Sequence, residues 1–117
     1  MNAEELKKRT KAFAVQVIQL VDCLPQGKST NVIAGQIIRS GTSVGANYRA
    51  ACRAKSRADF ISKMGNVEEE CDETIYWMEL LIDAKKIKPT VLQESLREAN
   101  ELLAITVASI NTARSRK

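Results

Sequence analysis

Residues 56–83 read SRADFISKMGNVEEECDETIYWMELLID, and the spacing within them decides the fold. Phe60, Met64, Val67, Cys71, Thr74, Met78 and Leu81 recur in unbroken steps of four and three, the period of one face of an α-helix. Ser56, with Asp59 three residues on, resembles a capping box, although aspartate is shorter than the usual glutamate. A helix with such a stripe cannot cover its own apolar face, so its partners must come from elsewhere in the chain.

They lie on both sides. Upstream, Leu6, Phe13, Val17, Leu20 and Leu24 mark a helix from Ala3 to Leu24, ended by Pro25-Gln26-Gly27. A second helix starts near Ser29 or Thr30, either a good N-cap, and puts Ile33, Ile37, Ser40, Val44, Asn47 and Ala51 on one face. Downstream, Lys88-Pro89-Thr90 opens a fourth helix, because the N–H that proline lacks would be unpaired in the first turn anyway. Leu92, Leu96, Ala99, Leu103, Thr106 and Ile110 continue the pattern before a polar tail from Ala113 to Lys117. Short breakers make successive helices antiparallel. The expected fold is therefore all-α, an up-down-up-down antiparallel four-helix bundle forming one domain over residues 1–117.

Composition agrees and excludes much chemistry. With 5 Gly and 2 Pro in 117 residues, the composition argues against an all-β protein rich in tight turns. Histidine is absent, which removes imidazole acid–base catalysis, Ser-His and Cys-His dyads and histidine-containing metal sites. Cys23, Cys52 and Cys71 have no metal-ligand spacing and read as reduced thiols, most of them packed as small apolar residues. The polar start MNAEELKKRTK is no secretory leader, and the longest nearly apolar run, Leu102 to Ile110, is far short of the ~20 residues a membrane span needs. The expectation is a soluble cytoplasmic protein without cofactor or metal, and not an enzyme, since no nucleophile is paired with a base.

Small residues and surplus apolar surface carry further expectations. Gly41 and Gly45 lie beside Ser40 and Asn47, so the reading is close helix approach with Asn47 hydrogen-bonded inside the bundle. The sharper alternative gives Asn47 a ligand. The first helix is apolar over a wide arc, and Ile38 and Leu80 fall on far faces, which points to self-association.

Charge is unevenly placed along the chain. Residues 1–58 hold 10 basic and 3 acidic side chains, whereas residues 59–117 hold 8 basic and 11 acidic. Glu69, Asp72, Glu73, Glu79 and Asp83 lie opposite the stripe of the third helix with Tyr76 and Leu80. Outward carboxylates without a Glu-x-x-His motif do not make a di-iron centre. The candidate nucleic-acid-binding residues are Arg39, Arg49 and Arg53 on the far face of the second helix, with Lys55 and Arg57 in the turn after it. Arginine's planar fork suits phosphate, and neutralising several phosphates gives salt-dependent, sequence-independent affinity. A merely solvated face and an acidic protein partner, including a second copy, stay open beside it.

The stretches QIIRSGTSVGANYRAACRAKSRADFISKM and EEECDETIYWMELL resemble the bacterial four-helix-bundle family of 23S rRNA intervening sequence proteins. The matching elements are Arg39-Ser40, Ser43-Val44 with Asn47, Arg53 to Asp59-Phe60, and Glu73-Thr74 with Tyr76-Trp77. The resemblance implies a bacterial cytoplasmic protein, often encoded within a large-subunit rRNA gene and assembling as a homopentamer, with no established enzymatic activity. Related proteins accompany the reverse transcriptases of diversity-generating retroelements, which makes RNA, DNA or a reverse transcriptase the implied partner. Many relatives carry an acidic residue just after the positions of Tyr48-Arg49-Ala50-Ala51, whereas Arg49 and Arg53 make this chain more basic there. If the charged faces instead join subunits head to tail, Tyr76, Trp77 and Leu80 are the expected interface anchors.

Overall fold

Four helices make up most of residues 1–116, which the computed structural model describes: α1 (Ala3–Asp22), α2 (Lys28–Cys52), α3 (Arg57–Asp83) and α4 (Pro89–Ser115). Their starts follow from local chemistry. Asn2 caps α1, its side-chain oxygen accepting from the Glu5 N–H at 2.8 Å. Ser56 caps α3 in the same way, accepting from the Asp59 N–H at 3.0 Å. The short Asp59 carboxylate reaches back to the Lys55 N–H at 3.1 Å, completing a variant of the expected box one residue further out. Pro89 is the first residue of α4, as its spacing implied.

Three boundaries differ from the sequence reading: α1 ends at Asp22 rather than Leu24, and the start of α2 and the end of α4 also shift. Gly27, rather than Ser29 or Thr30, precedes α2; Thr30 is buried in the first turn, and the Asn31 side chain accepts from the Gly27 N–H at 3.4 Å. At the far end α4 continues to Ser115, so most of the expected polar tail is helical, while its last residue, Lys117, lies outside the described residues. The turn after α3 closes with the Lys85 N–H donating to the Ile82 carbonyl and the Lys86 N–H to that of Leu81, both at 2.9 Å. This Schellman arrangement puts Lys85 at φ 59°, a left-handed position where glycine is usual.

α2 and α3 form the central pair, α1 lies on α2, α4 lies on α3, and α1 meets α4 along a thinner seam. Position 41 faces Val17 and position 45 faces Thr10, so rising numbers on α1 meet falling numbers on α2 and the two run antiparallel. The result is a four-helix bundle of 50 × 22 × 20 Å. The stripe of α3 is buried from Met64 to Leu81, as expected. On α4 the inward face is turned slightly: Ser95 and Leu102 are buried while Leu96 and Leu103 are only half-buried, because α4 leans mainly on α3. Buried hydroxyls return to the carbonyl one turn earlier, Thr10 to Leu6 at 2.9 Å and Thr106 to Leu102 at 2.8 Å, which lets polar residues sit in an apolar interior.

Candidate nucleic-acid interface

The sequence elements shared by the first and second recognisable stretches meet in space. Arg39 on α2 lies against Glu73 on α3, and its guanidinium also reaches Glu70 at 3.6 Å. One residue along each helix, Ser40 and Thr74 share a hydrogen bond of 2.8 Å in the core. The Trp77 indole N–H donates to the same Glu73 carboxylate at 3.2 Å. Arg39-Ser40 and Glu73-Thr74-x-x-Trp77 therefore form one clasp between α2 and α3, with a charged outer half and a buried inner half. Glu73 is held below the usual carboxylate range, chiefly by the hydrogen bond from Arg39. Glu70 is pushed the other way, because its burial outweighs the help of Arg39.

Arg39 is thus set apart from the other candidate bases. Arg49, Arg53, Lys55 and Arg57 are all exposed at the α2–α3 end, and none has an ion-pair partner among the described residues. Arg53 rests its guanidinium on the Arg49 carbonyl at 3.3 Å, which steadies the end of α2 without neutralising the charge. The one acid in the turn, Asp59, is taken by Lys63 at 2.8 Å and sits below its ordinary value for that reason, aided by the Lys55 N–H. Sequence reasoning missed the lysines of α1: Lys7, Lys8 and Lys11 face the same side as Arg49 across the α1–α2 contact. Their one-, three- and four-residue spacing signals a shared helix face, but only the fold says which neighbour that face meets.

The expected interface anchors differ among themselves. Tyr76 is 54% exposed, whereas Trp77 and Leu80 are half-buried and the Trp77 N–H is already committed to Glu73. The Tyr76 and Trp77 rings pack edge to face, 5.3 Å between centroids. Asn47 is half-buried and has no hydrogen-bond partner among the described residues; Ser40 is the polar residue sealed inside on that face. Of the cysteines only Cys71 is buried, its thiol pushed up to about 12 by desolvation; Cys52 is half-buried and Cys23, at the end of α1, is exposed. No helix among the described residues is long and apolar enough to cross a membrane.

Comparison with known proteins places the chain. The family model described as 23S rRNA-intervening sequence protein matches residues 4–108. A crystal structure of a protein with unknown function from the S23 ribosomal protein family of Bacteroides thetaiotaomicron superposes with a TM-score of 0.86 at 36% identity. That match covers 95% of this chain and 99% of the other. None of the curated proteins matches significantly. Neither description names a reaction. With a family match over nearly its whole length and a closely similar neighbour of the same family, the chain belongs to the 23S rRNA-intervening sequence proteins.

Proposed function

We propose that this chain is a non-catalytic, self-assembling helical module that binds RNA or DNA by the phosphate backbone. The observation that carries this reading is the set of free cations at the α2–α3 end: Arg49, Arg53, Lys55 and Arg57 are exposed and unneutralised by the chain's own acids among the described residues. Several exposed cations in one region raise the local concentration of a polyanion and release its counterions on contact. Arg39 belongs to the clasp, where Glu70 and Glu73 offset its charge, and the reading does not rest on it. Affinity for a labelled RNA across a salt series tests the reading. Binding at low salt that falls steeply with added salt supports it, and Arg49→Glu with Arg53→Glu weakens all sequences alike. Absence of binding at low salt defeats it.

A second reading has an observation of its own. Glu69, Asp72 and Glu79 line the exposed face of α3 beside Tyr76, offering a surface complementary to the basic end. Two unlike patches suit a head-to-tail ring, the pentamer that the family resemblance implies, or a docked protein such as a reverse transcriptase. Light scattering decides between ring and monomer; a stable monomer at micromolar concentration removes the ring.

A further inference from the structure

A charged recess lies between α1 and α2, and its chemistry points to a ligand. It encloses about 450 Å³. One rim carries Lys7, Lys8 and Lys11 of α1, and Arg49 of α2 stands on the other. Thr10, Ala14, Thr42, Gly45 and Ala46 form the floor. The floor is low because position 45 has no side chain: a Cβ there would meet the Thr10 hydroxyl at 3.2 Å and the Thr10 carbonyl carbon at 3.4 Å. Close approach of the two helices thus brings lysines of one within reach of an arginine of the other. Lys8, Lys11 and Arg49 have no ion-pair partner among the described residues, and Lys7 is shared with Glu4 at 3.2 Å, the one acid among the residues lining the recess.

We propose that this groove is the track for a single strand of nucleic acid, its phosphates lying between Lys8 and Lys11 on one side and Arg49 on the other. The proposal rests on the backbone-binding reading above and names where, and in what form, the polyanion sits. Packed helix axes stand ~8–10 Å apart, so cations on neighbouring helices flank one strand from both sides. A duplex is a wider convex rod and meets only the outer tips of those side chains. No aromatic ring lines the groove, so nothing there stacks a base; the backbone goes in and the bases point out. The stripe from Thr42 to Arg53 is on the order of 16 Å long at the helical rise, and it runs towards the free Arg53, Lys55 and Arg57.

The test is fluorescence anisotropy of the full chain with a labelled mixed-sequence 20-nucleotide strand, as RNA and as DNA, and with the matching duplex, over a salt series. Lys8→Glu with Lys11→Glu touches only exposed side chains and leaves the α2–α3 end intact. It is expected to weaken single-strand binding about tenfold or more and to flatten the salt slope by about 1.4, two phosphates at ~0.7 each. Ala46→Gln, a neutral plug in an exposed floor position, is expected to weaken it as well, which a diffuse surface field would not produce. Equal loss for RNA and DNA marks a pure phosphate track, and a loss confined to RNA marks one that also reads the 2′-hydroxyl; both support the groove. If the wild type binds and both groove variants bind equally well while Arg53→Glu with Arg57→Glu abolishes binding, the groove is overturned and the broader reading stands. Tighter binding of the duplex, or full displacement by poly-glutamate at equal charge, overturns the single-strand track. A wild type that binds no oligonucleotide at low salt defeats both.

Discussion

Glu70 and Glu73 lie one helical turn apart on α3 and face the same guanidinium, yet they respond in opposite directions. Glu73 takes the close contact with Arg39 and a bond from Trp77, which hold its proton affinity down; Glu70 is buried more deeply and its affinity rises. For Glu73 the folded chain binds fewer protons than the unfolded one, so its contribution is complete above the ordinary glutamate pKa of ~4.3 and is lost as pH falls through the depressed value. Glu73→Gln is therefore expected to lower the melting temperature at neutral pH, with the difference from wild type closing as the solution is acidified. For Glu70 the sign reverses: its ionised form is disfavoured in the fold, and Glu70→Gln leaves neutral-pH stability unchanged or raised. Thermal melts at pH 7 and pH 3 check both, and a Glu73→Gln deficit that persists undiminished at the lower pH contradicts the account. These residues were visible in sequence as parts of recognisable elements. Their partnership was not, because 34 residues separate Arg39 from Glu73 and only the position of the α2–α3 turn brings them level.

At the scale of the helix, the glycines separate into those that permit contact and those that merely weaken. A Cβ at position 41 would come within 2.9 Å of both Val17 methyls, and the β-branched valine has no rotamer that retreats from it. Gly41→Ala is expected to cost about 1–3 kcal/mol, as overpacking does. Gly35 and Gly65 have open space where a methyl would go, so Gly35→Ala and Gly65→Ala each gain about 0.5–1 kcal/mol of helix propensity. Lys85 poses the converse case: at φ 59° it occupies a glycine's position, and Lys85→Gly is expected to stabilise by about 1 kcal/mol. Urea denaturation of the four variants reads all of these; a stabilised Gly41→Ala contradicts the close-approach argument. The period of the apolar residues gave the four helices and the face of α3 directly. It did not give the turn of α4, since Ser95 and Leu96 are equally placed for an inward face until the lean of α4 on α3 selects one.

Across the whole molecule, cohesion is uneven: the central α2–α3 pair is broad, while α1 and α4 close on each other along a thin seam. There the Arg9 guanidinium grips Glu98 with two hydrogen bonds of 2.7 and 2.8 Å and reaches Glu101 at 3.5 Å. Both members of the main pair are largely withdrawn from water, unlike Arg97 and Glu94, which pair within α4 in the open. A two-pronged pair at a seam with little apolar contact carries a larger share of closure than the same pair would on a well-packed surface. Arg9→Met is expected to cost about 1–2 kcal/mol, because Glu98 is left half-covered without its partner, while Arg97→Met leaves the unfolding midpoint unchanged. The loss is expected to be local. Hydrogen exchange in Arg9→Met should speed up at the amides of α1 and α4 and stay at the wild-type rate in the middle of α2 and α3. Uniform acceleration in all four helices would mean that the bundle opens as one unit and that the seam is no weaker than the rest. Because the proposed groove is built from α1 on α2, a seam that opens on the α4 side is expected to leave its lining in place, and oligonucleotide affinity of Arg9→Met measured beside the exchange data separates closure of the bundle from the surface it presents.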